Sequence, residues 1–206
     1  MRNENTRKEM ETMYKQMTDF LQEGKIGDFS LKKFEVTDND FVAKIRCGIS
    51  NGTYIKLLHK GEVVMSDTDM EKRTNGKFVL NAHGDILIGG LGIGMIILAI
   101  QDLPEVNSIT VIEKYSEVIE LVGKQLPLNK KVKIIQADVF DWKPEKGNKF
   151  NCIYMDIWNW INSDVYRKEM IPLTKKYAHY LVSKETDENR FNDCWCKKEA
   201  RNNRRI

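Results

Sequence analysis

The residues of this 206-residue chain best suited to chemistry begin with one loop-like stretch. Gly90-Leu91-Gly92-Ile93-Gly94 puts three glycines at alternate positions directly after the apolar run "DILIG". Glycine tolerates positive φ and lets backbone approach a ligand closely. A helix starting just beyond such a turn offers free N–H groups to a polar or anionic partner. Three acids then close later apolar runs: Glu113 in "SITVIE", Asp138 in "VKIIQAD" with Val139 beside it, and Asp156 in "FNCIYMD". A carboxylate at a strand tip can accept both hydroxyls of a ribose, and Glu113 suits that task. The spacing speaks against a dinucleotide. A G-x-G-x-x-G pattern counted from Gly90 meets Met95 at its third glycine, and counted from Gly92 it meets Ile97. A further acidic group, Asp67, Asp69 and Glu71 in "SDTDME", has two readings. Thr68 and Glu71 fit a helix capping box, or the acids face a cationic substrate. A calcium loop would need more ligands and a central glycine.

These residues need elements to hold them, and the pattern from residue 85 onward supplies strand–helix alternation. Strands are expected at 85–89, 108–113, 132–137 and 150–156, with helices at 93–102, 115–126 and 163–182. Pro104, Pro127 and Pro144 fall between them. "FNDCWC" is a further strand candidate. Repeated βα units imply a Rossmann-like, doubly wound, mostly parallel sheet with right-handed crossovers. Ligands of such sheets bind beyond the C-terminal strand ends, where the four motifs stand. The run 86–100 has fifteen residues without a polar side chain. A spanning helix needs about 20, so this run reads as a buried strand, a turn and a helix.

Upstream, residues 5–24 read as an amphipathic helix, with Met10, Met13, Tyr14, Met17, Phe20 and Leu21 on one face. Thr6 and Glu9 fit a capping box, and Gly24 a C-terminal stop. The methionine stripe reads as core packing or as a homodimer surface. Residues 26–66 read as short strands, with a hairpin in "TYIKLLHKGEVVMSD". The expected organisation is a substrate-covering region at 1–80, a Rossmann-like domain at 81–196 and a basic tail at 197–206.

Composition narrows the function classes. Charged residues make up 31% and hydrophobic ones 41%, with a net charge of +3. The last ten residues carry five basic groups and one acid, or +4, so the rest is close to neutral. A body without basic excess is a poor nucleic-acid binder, and the tail reads as a solvated end. The N-terminus has no apolar signal-peptide core, which points to the cytoplasm. Cys47 and Cys152 sit among apolar residues and read as small core side chains. Cys194 and Cys196 form a lone C-x-C, read as plain thiols with no metal site.

With the glycine loop and the three acids in order, the region 84–156 resembles the class I S-adenosylmethionine-dependent methyltransferase superfamily. Position 88, two before the loop, is Ile where many members carry an acid, and "ILIGGLGIG" is similar to the spermidine synthase branch. The resemblance implies S-adenosyl-L-methionine as cofactor, held by Gly90, Leu91, Gly92, Gly94, Glu113, Asp138, Val139 and Asp156. It implies that Asp138 meets the adenine amino group and that Asp156 lies beside the sulfonium as the catalytic or orienting acid. Spermidine synthases carry D-x-x-D after the fourth strand, whereas this chain has Asp156-Ile157-Trp158-Asn159. An amide cannot take a proton from an attacking amine. The expected activity is therefore methyl transfer to a small-molecule acceptor. Aminopropyl transfer and a non-catalytic nucleoside-binding module are the alternatives. Trp158 and Trp160 either wall the acceptor pocket or pack against the core.

Overall fold

The computed structural model describes residues 12–204. The chain forms two compact units. The first takes the chain up to Leu80 together with Leu91–Ile100 and Ser116–Leu128, and the second takes the rest.

In the first unit β1 (Gly24–Ile26), β2 (Phe29–Val36), β3 (Gly52–His59) and β4 (Glu62–Ser66) form an antiparallel sheet in sequence order. The expected hairpin is β3–β4. Its last pair is His59 with Glu62, and Lys60 and Gly61 both have positive φ. That two-residue turn matches the right-handed twist of the flanking strands. The unit's helices are α1 (Phe41–Cys47), α2 (Asp69–Val79), α3 (Met95–Ile100) and α4 (Ser116–Val118), the last running on as a wider turn over Ile119–Gly123.

The expected helix over 5–24 does not run that far. Thr6, Glu9 and Met10 lie outside the described residues. Helical backbone ends at Met13, Met17–Asp19 is a 3₁₀ turn, and Gly24 begins β1 instead of stopping a helix. The competing force is tertiary. Met17 and Leu21 are fully buried, the Tyr14 hydroxyl donates to the Lys72 carbonyl, and the Gln16 amide donates to the Thr53 carbonyl. The methionine face does pack inward at Met17. Thr68 sits at the N-cap of α2 with extended backbone, but its hydroxyl pairs with Ser66 at 3.0 Å and caps nothing.

The second unit is built on a parallel sheet of β5 (Gly84–Gly89), β6 (Val106–Glu113), β7 (Val132–Gln136), β8 (Cys152–Met155) and β9 (Phe191–Cys194). The strand order is β7-β6-β5-β8-β9 and every pairing is parallel. The order reverses between β5 and β8. Ile86, Leu87 and Ile88 of the central strand are all fully buried. At about 1.5–3 kcal/mol per buried aliphatic side chain, this short run alone strongly favours the central position. A continuous helix, α5, follows from Ser163–Val165 through Tyr166–Met170 to Ile171–Ala178. Asn162 caps it, accepting the amides of Asp164 and Val165. Leu87, Ile112, Ile153, Met155, Met170, Leu173 and Tyr177 share one core.

The apolar run 86–100 divides as expected, into β5, a loop and the wholly buried α3. Among the described residues no helix is long and apolar enough to cross a membrane. The expected tail is more than a solvated end. Lys197–Arg201 forms α6, whose Ala200 is buried in the unit's core. Cys152, Cys194 and Cys196 are buried, and the Cys47 side chain lies outside what is described.

Candidate functional site

Four neighbouring strands of the second unit end in residues of interest. Across β7-β6-β5-β8 the C-terminal ends carry Asp138, Glu113, Gly90 and Asp156 in that order. Parallel pairing is what aligns them, since all four strands finish on the same edge. Gly90 lies beside the point where strand order reverses.

The ends of β5, β6 and β8 are tied together here. The Asp156 amide donates to the Gly89 carbonyl at 2.8 Å, and the Gly90 amide donates to the Ile112 carbonyl at 2.8 Å. Gly90 has φ +95, and a Cβ there would run into the Asp156 carbonyl oxygen. Glycine is therefore required at this position by conformation and by space together. Of the remaining loop residues, which belong to the first unit, Leu91 is buried and Gly92 has φ +52. A Cβ on Gly92 would strike the Met65 sulfur, and one on Gly94 would strike a methyl of Leu126. These two glycines have packing reasons of their own.

Glu113 is buried at the tip of β6, and its carboxylate accepts the Tyr115 amide at 2.8 Å. The Glu113 carbonyl accepts the Ala137 amide, joining the ends of β6 and β7. Asp138 is more open. Its Oδ1 accepts the Phe140 amide at 2.9 Å, and Lys114 Nζ lies 2.9 Å from Oδ2. Burial works against the charged form, but the Phe140 amide and the Lys114 ammonium outweigh it and hold Asp138 below its ordinary value. Val139 turns its side chain into the core. Its carbonyl accepts Lys176 Nζ and the Tyr177 hydroxyl, each at 2.8 Å. Helix α5 thus pins the loop that carries Asp138, and burial pushes the Tyr177 phenol up.

The two tryptophans part company. Trp158 is buried in the core, and its indole N–H donates to Glu169 at 2.8 Å. Trp160, two residues on, is 60% exposed, and Asn159 is exposed beside it. The acids of the first unit have local partners. Asp67 accepts the Ile55 amide at 2.7 Å and is buried, Asp69 accepts the Ser50 amide at 2.8 Å, and Glu71 is buried. Asp67 Oδ2 has no hydrogen-bond partner, and burial raises the carboxyl above its ordinary value.

Lys114, Glu169, Lys176 and Tyr177 did not stand out in the sequence. Lys114 could have been found, since it follows Glu113 directly and so shares its strand end. The other three lie on α5, where nothing local says which loop a helical side chain will meet.

No family profile and no curated protein matches the chain in sequence. Solved structures do match in part. The plantazolicin methyltransferase BpumL, in a complex with S-adenosylhomocysteine, matches over 55% of this chain and 46% of its own, at 19% identity and TM-score 0.40. The N-methyltransferase NodS from Bradyrhizobium japonicum WM9 matches over 55% and 57%, at 13% identity and TM-score 0.42. Spermidine synthase from Thermotoga maritima matches over 78% and 53%, at 16% identity and TM-score 0.49. The chain spans about half the length of these structures. The five-stranded parallel sheet with β5 at its centre, whose strand ends carry Glu113, Asp138 and Asp156 on one side, is a Rossmann-like α/β fold.

Proposed function

We propose that the chain is an S-adenosyl-L-methionine-dependent methyltransferase acting on a small-molecule acceptor. The observation that carries this reading is the edge described above, with three carboxylates around Gly90 beside the reversal of strand order. The donor set suits the cofactor. Carboxylates accept hydroxyl and amino hydrogens and favour a nearby positive sulfonium. A pyrophosphate would meet repulsion from the carboxylates there, because Lys114 is already paired with Asp138 and Lys176 is engaged by the Val139 and Phe140 carbonyls.

In this reading Glu113 accepts the ribose hydroxyls, with its carboxylate oriented by the Tyr115 amide. Asp138 faces the adenine amino group. Gly90, continued in sequence by Leu91, Gly92 and Gly94, brings backbone to the cofactor, and Val139 fixes the loop through its carbonyl. The bound cofactor supplies an electrophilic methyl group on a positive sulfur. What the chain adds is alignment of the acceptor for in-line attack and exclusion of water. Asp156 orients the reacting groups, and Trp160, four residues on, is the exposed aromatic that can meet the acceptor. Trp158 is left to the core.

Asn159 separates methyl from aminopropyl transfer. An amine acceptor has an intrinsic pKa of roughly 10 if it resembles lysine, so it must lose a proton before attack. Asn159 cannot take it. Chromatography of the nucleoside product is the test. S-adenosylmethionine with extract should yield S-adenosylhomocysteine, and decarboxylated cofactor with putrescine should yield no methylthioadenosine. Calorimetry gives the prior check, with binding of S-adenosylmethionine or S-adenosylhomocysteine and none of NAD. Tight NAD binding without response to the adenosyl ligands would overturn the assignment.

A further inference from the structure

At the opposite end of the second unit's sheet, His83 sits between two acceptors. Its Nδ1 is 2.8 Å from the Asn81 carbonyl oxygen, and its Nε2 is 2.8 Å from Asp187 Oδ2. A carbonyl and a carboxylate accept and never donate. A neutral imidazole has one N–H, so it would leave a lone pair facing one of those oxygens. Only the imidazolium satisfies both contacts.

The surrounding groups favour that assignment. Asn151 Oδ1 accepts the Asp85 amide at 3.0 Å, which fixes that side chain's orientation. Its Nδ2 then donates to Asp187 Oδ2 at 2.8 Å, and Asp187 Oδ1 accepts the Asn189 amide at 2.9 Å. Asp187 is thus engaged as a carboxylate. The Cys152 thiol donates to the Asn81 carbonyl at 3.4 Å and lies 3.5 Å from His83 Nδ1. Burial pushes that thiol up to about 11, so it stays protonated and cannot replace the imidazolium as a charge.

We propose that His83 is the charged half of a pH-sensitive latch, fastening the 183–190 segment, and with it the edge strand β9, to the N-terminal end of the sheet. The segment leads straight into β9, where the Phe191 amide donates to the Asn151 carbonyl at 2.8 Å. One residue, Asn151, therefore touches the latch through its side chain and the strand through its backbone. At the far end of β9 the Trp195 amide donates to the Met155 carbonyl, next to Asp156. Release of the latch frees the entry to the strand that borders β8.

The charged groups that act on His83 are Asp187 from the segment and Glu105 from the turn before β6, while β5 carries Asp85. Asp85 is engaged by the Ser108 hydroxyl at 2.6 Å. Burial disfavours the imidazolium, yet the Asn81 carbonyl, Asp187 and Glu105 outweigh it and hold the ring above its ordinary 6.5. Asp187 is held low in turn, against its partial burial, by Asn151 and His83. A raised folded value fixes the sign. The latch is fully fastened below 6.5 and lets go as pH rises through the folded value.

Two measurements test it on the full chain. Ring ¹⁵N shifts, assigned by the resonance lost in His83→Gln, should show an imidazolium at pH 6.5 and a midpoint above the ordinary value of about 6.5. Asp187→Asn should lower that midpoint. Amide exchange of Phe191–Cys194 should accelerate faster than hydroxide alone dictates as the ring deprotonates, and His83→Gln should remove the excess. If His83→Gln does not fold, the titrations of the wild type and Asp187→Asn decide. A neutral ring at pH 6.5, a midpoint unmoved in Asp187→Asn, or exchange that merely tracks hydroxide overturns the proposal.

Discussion

The two ends of the parallel sheet in the second unit are made of similar residue types and behave as opposites. At the C-terminal end, the carboxylates of Glu113, Asp138 and Asp156 close three of four adjacent strands, and Lys114, paired with Asp138, is 59% exposed. At the N-terminal end, one carboxylate, Asp187, gathers two amide donors and an imidazole around itself. Like charges gathered on neighbouring strand ends cost folding energy that packing must offset, and in the proposed reading this is the end that meets the cofactor. Asp187 instead ties together residues distant in the chain, His83 and Asn151, and its role is architectural. The ends also titrate with opposite sign. Asp138 is held low, so its contribution is present above its unfolded value of 3.8 and lost as pH falls through the folded one. His83 is held high, so its contribution is lost on the alkaline side.

The comparison can be broken most severely at Gly90. Gly90→Ala combines left-handed strain with a collision against the Asp156 carbonyl, and should cost about 4 kcal/mol in a denaturant titration. A loss under about 1 kcal/mol would mean that β5 and β8 are not locked as described. Next comes Glu113→Ala. If the carboxylate accepts ribose hydroxyls, calorimetry should show about 2–4 kcal/mol less affinity for S-adenosylhomocysteine, with only about 1 kcal/mol of stability lost with the Tyr115 contact. Unchanged affinity with a lower melting temperature would move Glu113 into the architectural class with Asp187.

At the other end, Asp187→Ala leaves His83 and Asn151 without their acceptor and should cost about 1–2 kcal/mol at pH 6. The deficit should shrink as pH rises, and cofactor affinity should not change. The smallest effect is expected for Lys114→Met. An ion pair this exposed contributes about 0.5 kcal/mol or less, seen as a slightly earlier acid transition in urea at pH 3–5, because Asp138 loses part of what holds it low. Equal shifts at acid and alkaline pH would remove the distinction between the ends.

Much of this layout was legible in the residues. The continuous apolar run of β5 announces a strand buried on both faces, the terminal acids mark where strands stop, and "TYIKLLHKGEVVMSD" reads as a hairpin. Boundaries strayed where partners decided them. The strand expected over 150–156 is only Cys152–Met155, because Phe150 bridges to Leu181 instead. The N-terminal stripe gave the buried side of Met17 correctly and the helix wrongly, since periodicity reports which side is apolar and is silent on where tertiary contacts interrupt the backbone.

What the sequence determined by itself is what local chemistry can determine. The alternation of apolar runs and helices sets a parallel sheet, glycines permit the turn after β5, and a carboxylate ends each of three strands. Tertiary structure alone decided which polar groups would meet. Trp158 and Trp160 are two residues apart and look alike in the chain, yet Glu169, eleven positions beyond Trp158, takes one indole into the core and leaves the other exposed. His83 and Asp187 are 104 positions apart and carry no mark of each other. Their pairing follows from parallel strand order, which sets the starts of β5, β8 and β9 side by side. A charge acquires its role from whichever partner lies within about 3 Å, and that distance is fixed only when the whole sheet has closed.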